Sequence, residues 1–180
     1  ALGCELAGGN STGISGEDNA VQRYVQCVDN IDMSETLAVV ILNSPAYAGT
    51  TYFGYTNQTK VVEFAIAYCP AIYDLQSESF RQVLVHEAVG HGFAKLEDEY
   101  AYQENGTISS KEIKNVQYLQ TLGWAQNVDF TSDPSQVLWS AFLNDNRYVS
   151  EKLGVFEGAC TYIKGAYRCL LYTSDAADEE

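Results

Sequence analysis

The chain holds only two histidines, His86 and His91, and both lie in the segment Val85-His86-Glu87-Ala88-Val89-Gly90-His91-Gly92-Phe93. A histidine followed at once by glutamate, with a second histidine about one turn later, lets one helix present two metal-binding imidazoles and a general base. A catalytic zinc ion takes three protein ligands and keeps a fourth position open for water. The acidic run Glu97-Asp98-Glu99 follows within reach of the histidines. Asp98 is our choice for the third ligand, with Glu97 and Glu99 as rivals. The chemistry of such a set is hydrolysis: zinc-bound water ionises near pH ~7 and a bound carbonyl is polarised. Glu87 would take the proton of that water and pass it to the leaving amine. Both imidazoles must be neutral to bind metal, so activity is expected to fall in acid.

The spacing is unusual. Histidines four apart stand ~40° apart on an α-helix, whereas the five-residue spacing here puts them ~140° apart. A turn closed by i→i+5 hydrogen bonds would realign them, and such turns concentrate at functional sites. Gly90, directly before His91, would ease the distortion. The plainer reading is a buried helix whose histidines are satisfied by hydrogen bonds. Two facts weigh against it: both histidines of the chain fall here, and the acidic run follows closely.

Several elements would have to position this segment. Residues 1–20, rich in Gly, Ser and Asn, read as a loop. Residues 20–33 hold a short helix with Val21, Tyr24, Val25 and Val28 on one face. The β-branched run 36–43 reads as a strand buried on both faces. Residues 50–56 and 61–68, joined by a turn at 57–60, read as an antiparallel hairpin beside it. Ser77 or Ser79 caps the histidine-bearing helix, whose apolar stripe is Phe80, Val83, Leu84 and Ala88 and which ends near Gly90–Gly92. Ser109 and Glu112 form a capping box for a second helix with Ile113, Val116, Leu119 and Leu122 buried, closed by Gly123. A third helix is expected from Asp133-Pro134, with Val137, Leu138, Ala141 and Phe142 inside. Residues 154–167 alternate glycines with aromatics, as irregular strands or a loop near a site would. The sum is one α/β domain.

Composition narrows the function classes. Of 180 residues, 46% are hydrophobic and 12% aromatic, enough for a sizeable core. Three prolines exclude a collagenous or low-complexity chain, and no stretch approaches the roughly 18 apolar residues of a membrane span. The formal charge of −14 repels nucleic acid and anionic membrane. There is no Gly-rich phosphate loop and no GxSxG elbow for a serine hydrolase. Cys4, Cys27, Cys69 and Cys160 show no CxxC spacing, which speaks against a cysteine zinc site, and they suit either one or two disulfides or four free thiols. The chain opens at Ala1 with no signal peptide. Residues 169–179 match the translation of a transposase-type sequencing adapter, so 169–180 is expected to be a non-native tail and 1–168 a fragment incomplete at both ends. Without the four acids of that tail, 20 acids face ten bases and the charge is still −10.

The stretch from His86 to Tyr100, HEAVGHGFAKLEDEY, resembles the signature of the immunoglobulin A peptidase family, the igalysins. These are metzincin-like zinc endopeptidases of gut and oral bacteria, some with the same HExxxH insertion followed by GFxKLxDEY. Residues 154–158 and 162–168 also resemble family sequence, so the similarity covers most of the chain and is densest over 83–100. The resemblance implies a metzincin-like zincin fold, with a twisted mixed sheet packed on an active-site helix and a smaller C-terminal subdomain, truncated here. It implies His86, His91 and Asp98 as Zn2+ ligands, Glu87 as catalytic base, and protein or peptide substrates such as immunoglobulin A or other host or dietary proteins. It further implies a secreted, periplasmic or cell-surface location. One departure stands out. Metzincins pass a methionine turn under the zinc, and the sole methionine here, Met33, lies upstream of the motif; we read this as truncation. Tyr100, Tyr162 and Tyr167 are candidate oxyanion donors, none of them singled out. The residues alone leave two other readings: a non-catalytic module that keeps zinc for stability, and a surface-binding domain for host protein or glycan.

Overall fold

A computed structural model describes residues 2–7, 13–56 and 60–171, with the backbone alone for 53–56 and 60–63. Helix and sheet are mixed, as an α/β reading requires. The chain divides into two compact units, Ala1–Ala94 and Lys95–Glu180.

In the first unit, β1 (Glu5–Leu6) and β2 (Ile14–Ser15) form a short antiparallel pair where a loop was expected, and α1 spans Asp18–Val25. Helix α1 starts earlier and stops sooner than the sequence pattern predicts. Ala20 and Val21 are buried and Val25 packs against the same core, whereas Tyr24 and, beyond the helix, Val28 are exposed. Three strands follow, β3 (Leu37–Leu42), β4 (Thr50–Thr56) and β5 (Lys60–Pro70), in the order β3-β5-β4. Strand β3 runs parallel to β5, and β4 antiparallel to it, so the expected hairpin is present; residues 57–59 of its turn lie outside the described residues.

The strand buried on both faces is β5, not β3. Residues 64–69 are all buried on β5, whereas Val39 and Ile41 of β3 are 41% and 51% exposed. Strand β3 pairs with β5 alone, so it is an edge strand with one covered face, and its apolar run overstated its burial. Alternation splits β5 cleanly. Phe64, Ile66 and Tyr68 pack with Ile14, Val21, Ala38 and Val40, and the Tyr68 hydroxyl donates to Asp18 Oδ1 at 2.7 Å, tying α1 to the sheet. Met33 packs against this same cluster. Ala67 and Cys69 point the other way, toward Phe80, Val83 and Ala88 of the histidine-bearing helix. That face of the sheet is small, with Ala65, Ala67 and Cys69 fully buried, and the helix can approach closely.

In the second unit, α3 (Ser110–Thr121) begins as predicted, the Glu112 amide donating to Ser109 Oγ at 3.2 Å. Val116 is buried, but Leu122 is exposed. Gly123 follows with φ +83°, the left-handed residue that ends a helix. The expected third helix is absent. Residues 133–139 form turns and only a three-residue 3-10 turn, Ser140–Phe142, follows. The Val137 amide still bonds the Asp133 carbonyl, but the Leu138 amide donates to Asp129 Oδ2 instead of a carbonyl one turn back, and Trp139 Nε1 ties the segment to the Gly154 carbonyl. Leu138 and Phe142 are exposed. The Gly-aromatic stretch forms an antiparallel hairpin, β7 (Phe156–Ala159) and β8 (Tyr162–Arg168), with β6 (Val128–Asp129) on the other side of β8. Cys160 and Thr161 turn the hairpin with φ of 53° and 66°. Beyond it, the Cys169 carbonyl accepts from the Gly154 amide and Arg168 Nε donates to the Leu170 carbonyl. Residues 172–180, most of the suspected tail, lie outside the described residues.

Candidate metal centre

The site begins at a cap. Ser77 Oγ accepts from the Phe80 amide at 3.1 Å and starts α2 (Glu78–Leu84). From Val85 to Phe93 the helix widens into π geometry, and the Ala94 amide closes it on the Val89 carbonyl, an i→i+5 bond of 2.9 Å. The helix thus runs slightly past its expected end and stops at Lys95, whose φ of 56° is left-handed. The wide turn does to the five-residue spacing what the sequence requires of it. His86 Nε2 and His91 Nε2 stand 3.0 Å apart, with ring centroids at 4.4 Å and planes at 84°.

Glycine serves this turn at a different position from the one expected. An added Cβ at Gly90 would meet only the Val85 carbonyl oxygen, at an ordinary 3.7 Å. At Gly92 it would lie 2.6 Å from Leu37 Cδ1 and 3.3 Å from the Glu87 carbonyl oxygen. Gly92 is therefore where the helix closes onto β3, and Gly90 has room to spare.

Asp98 stands in a non-helical run four residues past Ala94. His86, His91 and Asp98 are all half-buried and are the one group of His, Cys, Asp or Glu among the described residues that could hold a metal ion. Polar contacts hold the run containing Asp98. The Asp98 carbonyl accepts from the Cys160 amide at 2.8 Å and the Tyr100 carbonyl from the Thr161 amide at 3.1 Å. Asn127, 8% exposed, accepts from the Glu97 amide and donates to both the Glu97 carbonyl and Glu99 Oε1, at 2.8–2.9 Å. Glu99 Oε1 also receives the Cys169 thiol, and Glu97 Oε1 the Asp98 amide. One oxygen of each rival of Asp98 is thus engaged with protein groups, whereas Glu99 Oε2, like Asp98 Oδ1, is buried without a hydrogen bond. Asn127 is a support of this run that sequence reasoning missed; nothing in Gln126-Asn127-Val128 marks it.

Glu87 is 6% exposed and faces β4, where the Thr51 hydroxyl donates to it. Its negative charge, together with burial, pushes the Cys69 thiol up to about 12, burial being the larger cause. Burial and then the charges of Glu97 and Asp98 raise Cys160, and burial and then Glu99 push Cys169 up to about 12. None of the five cysteines is disulfide-bonded. At neutral pH these three are thiols, poor metal ligands beside two imidazoles and carboxylates.

His86, His91 and Asp98 could hold a metal ion. Two nitrogens each 2.0–2.1 Å from a tetrahedral ion stand about 3.3 Å apart, close to the 3.0 Å seen here. Two imidazoles and a carboxylate are also the donor set that leaves one position open. No protein-family model, no curated protein and no solved structure matches this chain.

Proposed function

We propose that the chain is a zinc endopeptidase with a metzincin-like catalytic fold, in which His86, His91 and Asp98 hold the ion and Glu87 is the general base. The observation that carries this reading is the convergence of the two Nε2 atoms to 3.0 Å on one wide helical turn. When bound, zinc would acidify a water and polarise the scissile carbonyl. Glu87 follows His86 directly in the chain and is buried, its carboxylate held against β4 by the Thr51 hydroxyl. It would accept the proton of the attacking water and deliver it to the departing amine. The resemblance of residues 86–100 to igalysins supports the same roles and points to immunoglobulin A or other host or dietary proteins, met outside the cell. Among the described residues no helix is long and apolar enough to cross a membrane.

Elemental analysis tests the site first. About one zinc per chain is expected, falling below a tenth in the His86→Ala, His91→Ala double mutant. Glu87→Gln should keep the zinc and lose peptide cleavage. Zinc retained by the double mutant, or full cleavage by Glu87→Gln, would refute the reading; zinc bound by a wild type that cleaves no peptide would favour a zinc-stabilised binding module.

A further inference from the structure

The base needs a holder, and β4 supplies one. The strand register sets Thr51 opposite Ala67, so its side chain shares the helix-facing side of the sheet with Ala67 and Cys69. From there the Thr51 Oγ1 lies 2.7 Å from Glu87 Oε2 and 2.9 Å from the Glu87 carbonyl oxygen. One hydroxyl has one proton to give, so the two acceptors of the same residue share it. Gly49, two residues earlier on the same face, completes the seat. A Cβ there would stand 2.5 Å from Glu87 Oε1, 2.6 Å from Cγ and 2.9 Å from Cδ. Three such distances mean that the Glu87 side chain occupies the space that any side chain at position 49 would need. A glutamate has three side-chain torsions to fix before its carboxylate can meet a water in one orientation. Here a hydroxyl holds one oxygen and the missing side chain of Gly49 makes the room.

We infer that Thr51 is the positioning residue of the catalytic base, acting through Glu87 and not on the substrate, with Gly49 as the space it works in. This rests on the peptidase reading above. Removing the hydroxyl leaves the zinc ligands intact and frees the carboxylate to leave its productive orientation.

The test uses the full chain loaded with zinc and a pool of internally quenched peptides. Thr51→Val, which keeps the shape and loses the hydroxyl, should lower kcat about 10- to 100-fold with KM within about twofold and zinc content unchanged. Thr51→Ser should stay within about threefold of wild type. A double-mutant cycle of Thr51→Val with Glu87→Met, whose side chain cannot accept the hydroxyl, read by urea unfolding of zinc-free protein, should deviate at least about threefold from the product of the single effects on the unfolding constant. A Thr51→Val variant with wild-type kcat, while Glu87→Gln is inert, would overturn the positioning role and leave the peptidase standing. An additive cycle would overturn it without reference to activity. A wild type as inert as Glu87→Gln would bring down the peptidase reading and this inference with it.

Discussion

Residues 78–93 reach their places through periodicity, whereas residues 95–100 reach theirs through partners that arrive from far along the chain. In the first stretch a cap, an apolar stripe and one wide turn suffice to bring His86 and His91 to 3.0 Å. In the second no repeating hydrogen bond exists, and Asn127 and the amides of Cys160 and Thr161 hold the backbone point by point. A helix distributes its support over many weak contacts, so single losses are absorbed. A clamp concentrates support in a few buried hydrogen bonds, and each one broken leaves a partner unsatisfied.

Substitutions can break that contrast or sharpen it. The largest effect is expected at the clamp: Asn127→Ala should weaken zinc binding 10- to 100-fold in a competition titration, by loosening the support of Asp98. It should also cost about 2–3 kcal/mol in chemical denaturation. A wild-type zinc affinity in Asn127→Ala would erase the distinction. Next comes Gly92→Ala, where the helix meets Leu37; a loss of about 1–3 kcal/mol is expected from the overpacked contact. Ser77→Ala should cost about 1 kcal/mol, one cap among several supports, with zinc stoichiometry unchanged. Gly90→Ala should be neutral or stabilising by up to about 1 kcal/mol, since the site has room and glycine is the weaker helix former. A clear loss at Gly90 would restore the role that the sequence suggests for it.

A last effect separates thiols from ligands. Cys69 has its folded pKa raised from 9.0 to about 12, so its contribution to stability is complete below pH ~9 and fades as pH rises toward 12. Cys69→Ala should flatten the alkaline limb of the stability profile without moving zinc content.

Legibility in the sequence followed the same divide. The five-residue histidine spacing demanded a wide turn because an α-helix separates such residues by ~140°, and a π segment is what spans 85–93. The cap at Ser77, the helix at Ser109 and the hairpin of β4 and β5 were likewise written locally. The burial of 36–43 was misread because a β-branched run says which residues like a strand, not how many neighbours that strand has. The expected helix at 133–142 failed because Asp129 and Trp139 offered side-chain hydrogen bonds that a helical pattern does not encode. Asn127, Thr51 and Gly49 were invisible for one reason: each matters through a residue at least 28 positions away.

In genetic terms, the extra residue in the wide turn is one in-frame codon. Val89 is half-exposed and lies between the histidines, so its loss would disturb the core least. Deleting it would leave Glu87 next to His86 and Gly92 next to His91, and would bring the pair to the four-residue spacing that an α-helix aligns unaided. The chain therefore stands three nucleotides away from an ordinary helix carrying the same two histidines.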